Sequence, residues 1–86
     1  MPLDLESRIE RIASGCWIWR GRLRKGYGSV NGPGSKREGA HRRVYKDIVG
    51  PIPDGMELDH LCFVSSCVNP AHLEPVTSVE NRRRAR

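Results

Sequence analysis

Eighty-six residues carry a net charge of +5, only 37% of them are hydrophobic, and a single one is Phe. A chain this short buries roughly 60–65% of its unfolded surface, which excludes a large apolar core and calls for a staple of disulfide, metal or oligomer. Three cysteines cannot pair completely, which argues against a secreted disulfide framework. The sequence shows neither an apolar run of membrane-crossing length nor a signal-peptide core, so a cytoplasmic location is expected, with no membrane partner. The arginine excess points to a polyanion, of which nucleic acid is the usual kind, although basic surfaces also serve solubility.

The chain reads as one domain, residues 1–86. In "DLESRIERIASG", Leu5, Ile9 and Ile12 fall at helical spacing, with Asp4 as a candidate N-cap and Gly15 as a stop. An N-terminal helix within residues 1–15 is the expectation. Residues 16–40 have another character, because "CWIW" alternates and glycines recur after it at Gly21, Gly26, Gly28, Gly32 and Gly34. That pattern predicts strands joined by tight turns, a β-hairpin region with "NGPG" at one bend. Trp17 and Trp19 read as strand-packing residues. "HRRVYKDIVG" fits a short helix ended by Gly50, and His41 at its start reads as a buried, hydrogen-bonded histidine without further role. "PIPDG" is a turn.

Within residues 56–86, "MELDHLC" begins a strand, and the cysteines and Asn-Pro after it sit on a loop. Thr77 and Glu80 stand as T-x-x-E, a capping box in which hydroxyl and carboxylate reciprocally satisfy free backbone amides. The last helix therefore opens near Ser78, carries Asn81 early, and crowds arginines into its C-terminal half, where the helix dipole favours them.

Cys62, Cys67 and His72 form C-x4-C-x4-H. A structural zinc site needs four donors in a tetrahedron, and this loop supplies three. Cys16, the remaining cysteine, is the natural fourth and would tie the two halves of the chain together. The competing reading is three free cysteines packed as small hydrophobes. His60, two residues before Cys62 and so on the same face of the expected strand, competes with His72 for the ion. Spacing does not decide between them.

The arrangement Asp59-His60-x-Cys62, Cys67-x-Asn69-Pro70-x-His72-Leu73, followed by Asn81, resembles the ββα-metal (His-Me finger) nucleases. It is similar above all to the His-Cys box homing endonucleases and the small phage-type HNH endonucleases. "CWIW", "GYG", "HRRVY" and "PIPDG-ELDHLC" share the likeness to the phage-type enzymes, which spans roughly residues 16–83. The resemblance implies an α+β fold: a small zinc-stapled ββα-metal domain with an N-terminal helix and a β-hairpin. It implies a metal-dependent DNA endonuclease in the cytoplasm of a bacterial or phage-infected cell, hydrolysing phosphodiester bonds to 5′-phosphate and 3′-hydroxyl ends.

By position in the motif, His60 is the implied general base, and Cys16, Cys62, Cys67 and His72 the structural zinc ligands. Asn81 and Asp59 are implied to hold a catalytic Mg²⁺, or another divalent cation such as Mn²⁺. The motif ends here in Asn rather than His, and His-Cys box enzymes can lack the acidic residue. Asn69 is expected to pin the loop that aims His60, and Arg37 aligns with an arginine on the scissile phosphate. A neutral imidazole, with its reference pKa of about 6.5, can take a proton from water, while hard oxygen donors suit magnesium and soft ones zinc.

Arg82, Arg83, Arg84 and Arg86 would neutralise flanking phosphates of double-stranded DNA, and Arg20, Arg22, Arg24 and Lys25 on the hairpin could read bases in the major groove. A monomer has one such site; a homodimer could set two across the duplex. The alternative reading is a non-catalytic zinc-stapled DNA-binding module, and the more distant one a protein-interaction domain. Binding alone requires none of Asp59, His60 and Asn81.

Overall fold

In a computed structural model of the chain, residues 2–32, 34 and 36–84 are described. The N-terminal helix is a single turn, α1 (Leu3–Glu6), where the spacing of Leu5, Ile9 and Ile12 predicts a longer one. Ile9–Arg11 instead forms a strand, β1, antiparallel to β2 (Trp17–Trp19), with Ile9 opposite Trp19 and Arg11 opposite Trp17. The physical reason is competition: an isolated helix of a dozen residues is marginal in water, whereas "WIW" offers a ladder and an aromatic face. Arg11 lays its guanidinium 4.4 Å from the Trp17 ring centre. Gly15, expected to stop a helix, serves the β1–β2 turn at φ +93°.

The glycine-punctuated stretch forms the expected meander of β3 (Leu23–Arg24), β4 (Tyr27–Asn31) and β5 (Arg37–Gly39), in that order. Lys25 and Gly26 both take positive φ between the paired residues Arg24 and Tyr27, the two-residue hairpin geometry that matches strand twist. Helix α2 (Ala40–Ile48) comes directly after β5 and lies against β4. Its buried Ala40 and Val44 meet Leu5, Trp19, Val30 and Val68 in a small core around the Trp19 indole, whose Nε1 donates to the Arg22 carbonyl. Gly28 is required there. A Cβ at that position would stand 2.8 Å from both the Ala40 methyl and the Trp19 ring.

The C-terminal part is a strand–strand–helix unit. Strand β6 (Met56–His60) pairs antiparallel with β7 (Leu73–Thr77), from Met56 opposite Thr77 to His60 opposite Leu73. The loop between them holds the cysteines and a 3-10 turn at Pro70–His72. Strand β7, the second strand that the ββα resemblance implies, escapes local patterning because Pro75 interrupts it; a two-stranded ribbon tolerates this, having a free edge for the residue without an N–H. Helix α3 (Ser78–Arg83) packs on both strands. Half of the expected capping box is present, since the Thr77 hydroxyl accepts from the Glu80 N–H at 3.1 Å. The Glu80 carboxylate turns to Arg84 at 3.8 Å. The Gly28→Ala variant is expected to lose about 1–3 kcal/mol of stability through overpacking, read from urea denaturation of the zinc-loaded protein.

Candidate active site and metal centre

Four side chains from two distant stretches, Cys16 and the loop that carries Cys62, Cys67 and His72, converge at the start of β2. The donor atoms of Cys16, Cys62, Cys67 and His72 all lie within 4.8 Å of one another. Backbone pairing brings them together: Val68 N–H donates to the Trp17 carbonyl at 2.8 Å, and Trp19 N–H to the Ser66 carbonyl at 2.9 Å. This lays β2 beside the loop and carries Cys16 to Cys67. Asn69 locks the junction, its Nδ2 donating to the Gly15 carbonyl at 2.7 Å and its Oδ1 accepting from Ala71 N–H at 2.9 Å.

The donor set fits zinc. His72 Nδ1 stands 3.7 Å from the Cys16 sulfur and 3.6 Å from that of Cys67. A tetrahedral ion with bonds of about 2.0–2.3 Å separates its donors by roughly 3.5–3.8 Å. Three thiols and one imidazole are soft or borderline ligands, as structural zinc prefers. Burial pushes the Cys67 thiol up to about 12, so its thiolate needs a cation beside it. The spacing ambiguity resolves with His72 at the cluster and His60 elsewhere.

His60 ends β6 on the wall of a separate open cleft of about 540 Å³. Its Nε2 lies 3.0 Å from the Cys67 carbonyl oxygen. A carbonyl only accepts, so Nε2 carries the ring proton and Nδ1 keeps its lone pair. Burial holds the imidazole below its ordinary pKa, partly offset by the Cys67 carbonyl and by Asp59. Asp59 and Asn81 line the same cleft, so three of the expected site residues meet. Asp59 is 5% exposed. Asn81, on α3, donates from Nδ2 to Glu57 Oε1 at 2.7 Å, which leaves its amide oxygen available as a hard donor.

The arginines divide. Arg84 turns inward to the Asp59 carboxylate at 3.2 Å, and also pairs with Glu74. It lines the cleft rather than flanking it. Arg37 does not line the cleft: its head group donates to the Ser29 hydroxyl at 3.0 Å, to Asn31 Oδ1 at 2.7 Å and to the Ser29 carbonyl at 3.1 Å. Arg20 pairs with Glu10 on the β1–β2 ribbon. Arg22, Arg24, Lys25, Arg82 and Arg83 are at least partly exposed. Arg86 lies outside the described residues.

Glu57 and His41 also line the cleft and were not among the residues expected there. Glu57 had a readable signal, standing two residues before Asp59 where strand periodicity returns to one face. His41 had none, since its place depends on where α2 docks. The His41 and His60 ring centres are 4.8 Å apart.

With the histidine, the acidic residue, the helical Asn and the cysteine cluster in place, comparison with known families becomes decisive. A model of the HNH endonuclease family, HNH_3, matches residues 38–83. The chain belongs to the HNH endonuclease family. Among curated proteins, it is 35% identical over 74 residues to the uncharacterized gene 5.3 protein of Enterobacteria phage T3, covering 78% of this chain and 73% of that one. It is 38% identical over 69 residues to protein 7.7 of Escherichia phage T7, covering 77% of this chain and about half (51%) of that one. No solved structure matches. Within the described residues, no helix is long and apolar enough to cross a membrane.

The HNH fold of this chain is expected to depend on its metal. Purified protein should carry one zinc per chain by elemental analysis, and Cys62→Ala should lose both the zinc and the cooperative thermal transition. A Cys62→Ala protein that melts cooperatively without metal would remove the staple.

Proposed function

We propose that this HNH protein is a metal-dependent DNA endonuclease in which His60 is the general base. The observation that carries the reading is the His60 imidazole, tied by Nε2 to the Cys67 carbonyl and left basic at Nδ1 on the wall of the cleft. The lowered pKa keeps the ring neutral at pH 7, the state a base requires.

In this mechanism a water molecule gives its proton to His60 Nδ1 as its oxygen attacks phosphorus. The P–O3′ bond breaks, and the departing oxygen takes a proton from solvent, leaving 5′-phosphate and 3′-hydroxyl ends. Asp59 and the Asn81 amide oxygen would hold a divalent cation, and Glu57 would orient Asn81 by accepting from its Nδ2. The donors are hard oxygens, which suits Mg²⁺. When bound, the cation neutralises phosphate charge and stabilises the leaving oxygen. Arg84, paired with Asp59, shares that carboxylate and keeps a positive charge on the lining of the cleft.

Arg22, Arg24 and Lys25 around the β3–β4 hairpin and Arg82 and Arg83 on α3 would take up backbone phosphates of double-stranded DNA, which positions the duplex but reads no sequence. The zinc cluster is structural in this reading.

The test is supercoiled plasmid incubated with the protein and Mg²⁺. Nicked or linear product is expected, and His60→Ala should slow its formation by about 100- to 10,000-fold while its mobility shift on DNA stays unchanged. DNA binding without cleavage by the wild type would favour the non-catalytic module; full cleavage by His60→Ala would move the base to another residue. Binding should weaken steeply with added salt, as counterion release requires.

A further inference from the structure

Two histidines wall the cleft, and the mechanism above uses one. His41 stands in the first turn of α2 with its ring centre 4.8 Å from that of His60 and 6.1 Å from that of Tyr27. The backbone at Gly39 makes room for it. A Cβ there would sit 2.7 Å from His41 Cε1 and 2.9 Å from Nδ1, and 3.7 Å from Nε2. The Nδ1 edge is therefore pressed against the chain, and Nε2 is the nitrogen turned away from it.

Nδ1 is buried and has no hydrogen-bond partner among the described residues. A histidine serving only the core would have that nitrogen satisfied. Placing the proton on Nε2 avoids stranding an N–H donor in the interior, so the lone pair is assigned to Nδ1. His41 is thus arranged opposite to His60. His60 holds its N–H to the Cys67 carbonyl and keeps its lone pair, whereas His41 buries its lone pair and keeps an N–H on the nitrogen farther from Gly39.

We propose that His41 is a catalytic residue, its Nε2–H donating a hydrogen bond to a non-bridging oxygen of the scissile phosphate as negative charge gathers there. This rests on reading the cleft as a phosphodiester-cleaving site. Of the carboxylates that line the cleft, Glu57 receives from Asn81 and Asp59 from Arg84. Incoming substrate supplies the matching acceptor. Burial, with His60 and Arg42 close by, lowers the imidazole pKa to about 4. His41 therefore acts as a neutral donor rather than as an acid that gives up its proton, and it does not compete with His60 for the proton of water.

The test compares His41→Phe, which fills the same space without a donor, with His41→Gln, whose side-chain amide restores one. Removing a donor of this kind costs about 100- to 1,000-fold in kcat, so His41→Phe should show that loss with KM for DNA, zinc content and melting temperature near wild type. His41→Gln should recover at least tenfold. Cleavage by His41→Phe within threefold of wild type overturns the proposal, and so does unfolding of both variants, which would make His41 a core residue. A second readout stands apart from cleavage: the His41 Nε2 nitrogen resonance of the zinc-loaded protein, monitored while a short duplex is added without divalent cation. A shift of that resonance is expected even if the wild type proves inactive, which would sink the nuclease reading alone; no shift on a duplex that binds overturns the donor role.

Discussion

Cys67 faces two ways, and much of the molecule depends on it. Its sulfur belongs to the four-donor cluster, and its carbonyl oxygen receives the His60 ring. The residue is fully buried and bridges to Ile18 of β2. Metal staple and imidazole orientation are therefore one mechanical unit. If the cluster opened, the loop from Cys62 to His72 would lose its anchor, and the carbonyl that sets the His60 tautomer would go with it. In a chain with so thin a core this coupling has a clear cause. The small apolar cluster around Trp19 holds α2 and the meander together and takes in Val68 of the loop, while Leu61 and Phe63 stay exposed, so metal ligation would add to the few apolar contacts that hold the loop's shape.

The cleft brings charges of both signs together, Glu57 and Asp59 with Arg42 and Arg84. Glu57 and Asp59 come from alternate positions of β6, and Arg84 returns from the end of α3 to pair with Asp59 and Glu74. Positive charge thus sits both on exposed surface, as Arg22, Arg24, Arg82 and Arg83, and on the lining of the cleft. Buried carboxylates without a counter-charge are costly, so the guanidinium has a structural use alongside any part in phosphate binding. The inward turn of Arg84 separates it from its neighbours in the arginine run, which sequence treats alike.

Cysteines, histidines and their spacing were legible because ligation has strict rules. Donor type and number are visible in the chain, and Cys16 could be paired with the distant loop simply by count. Helix α2, its Gly50 stop and the Thr77 cap were legible for similar local reasons. The N-terminal segment was not. Leu5, Ile9 and Ile12 satisfy a helical period, yet Ile9 is worth more opposite Trp19 in a ribbon, and nothing in the local sequence announces that partner. Pro75 hid strand β7 from local patterns, although the ββα resemblance implied a second strand there; the residue is tolerated because β7 is an edge strand.

The candidate site divides along the same line. The sequence by itself determined which residues could ligate metal or transfer a proton, because those are properties of side-chain chemistry and of short spacings. Spacing left His60 and His72 open and the family resemblance assigned them; the tertiary structure sets one imidazole against the sulfurs of Cys16 and Cys67 and the other against a carbonyl. It also turned Arg37 onto Ser29 and Asn31, drew Arg84 to Asp59, and set His41 beside His60. Each of these depends on the docking of elements far apart in the chain, which packing around Trp19 and convergence on Cys67 decide and no local pattern encodes.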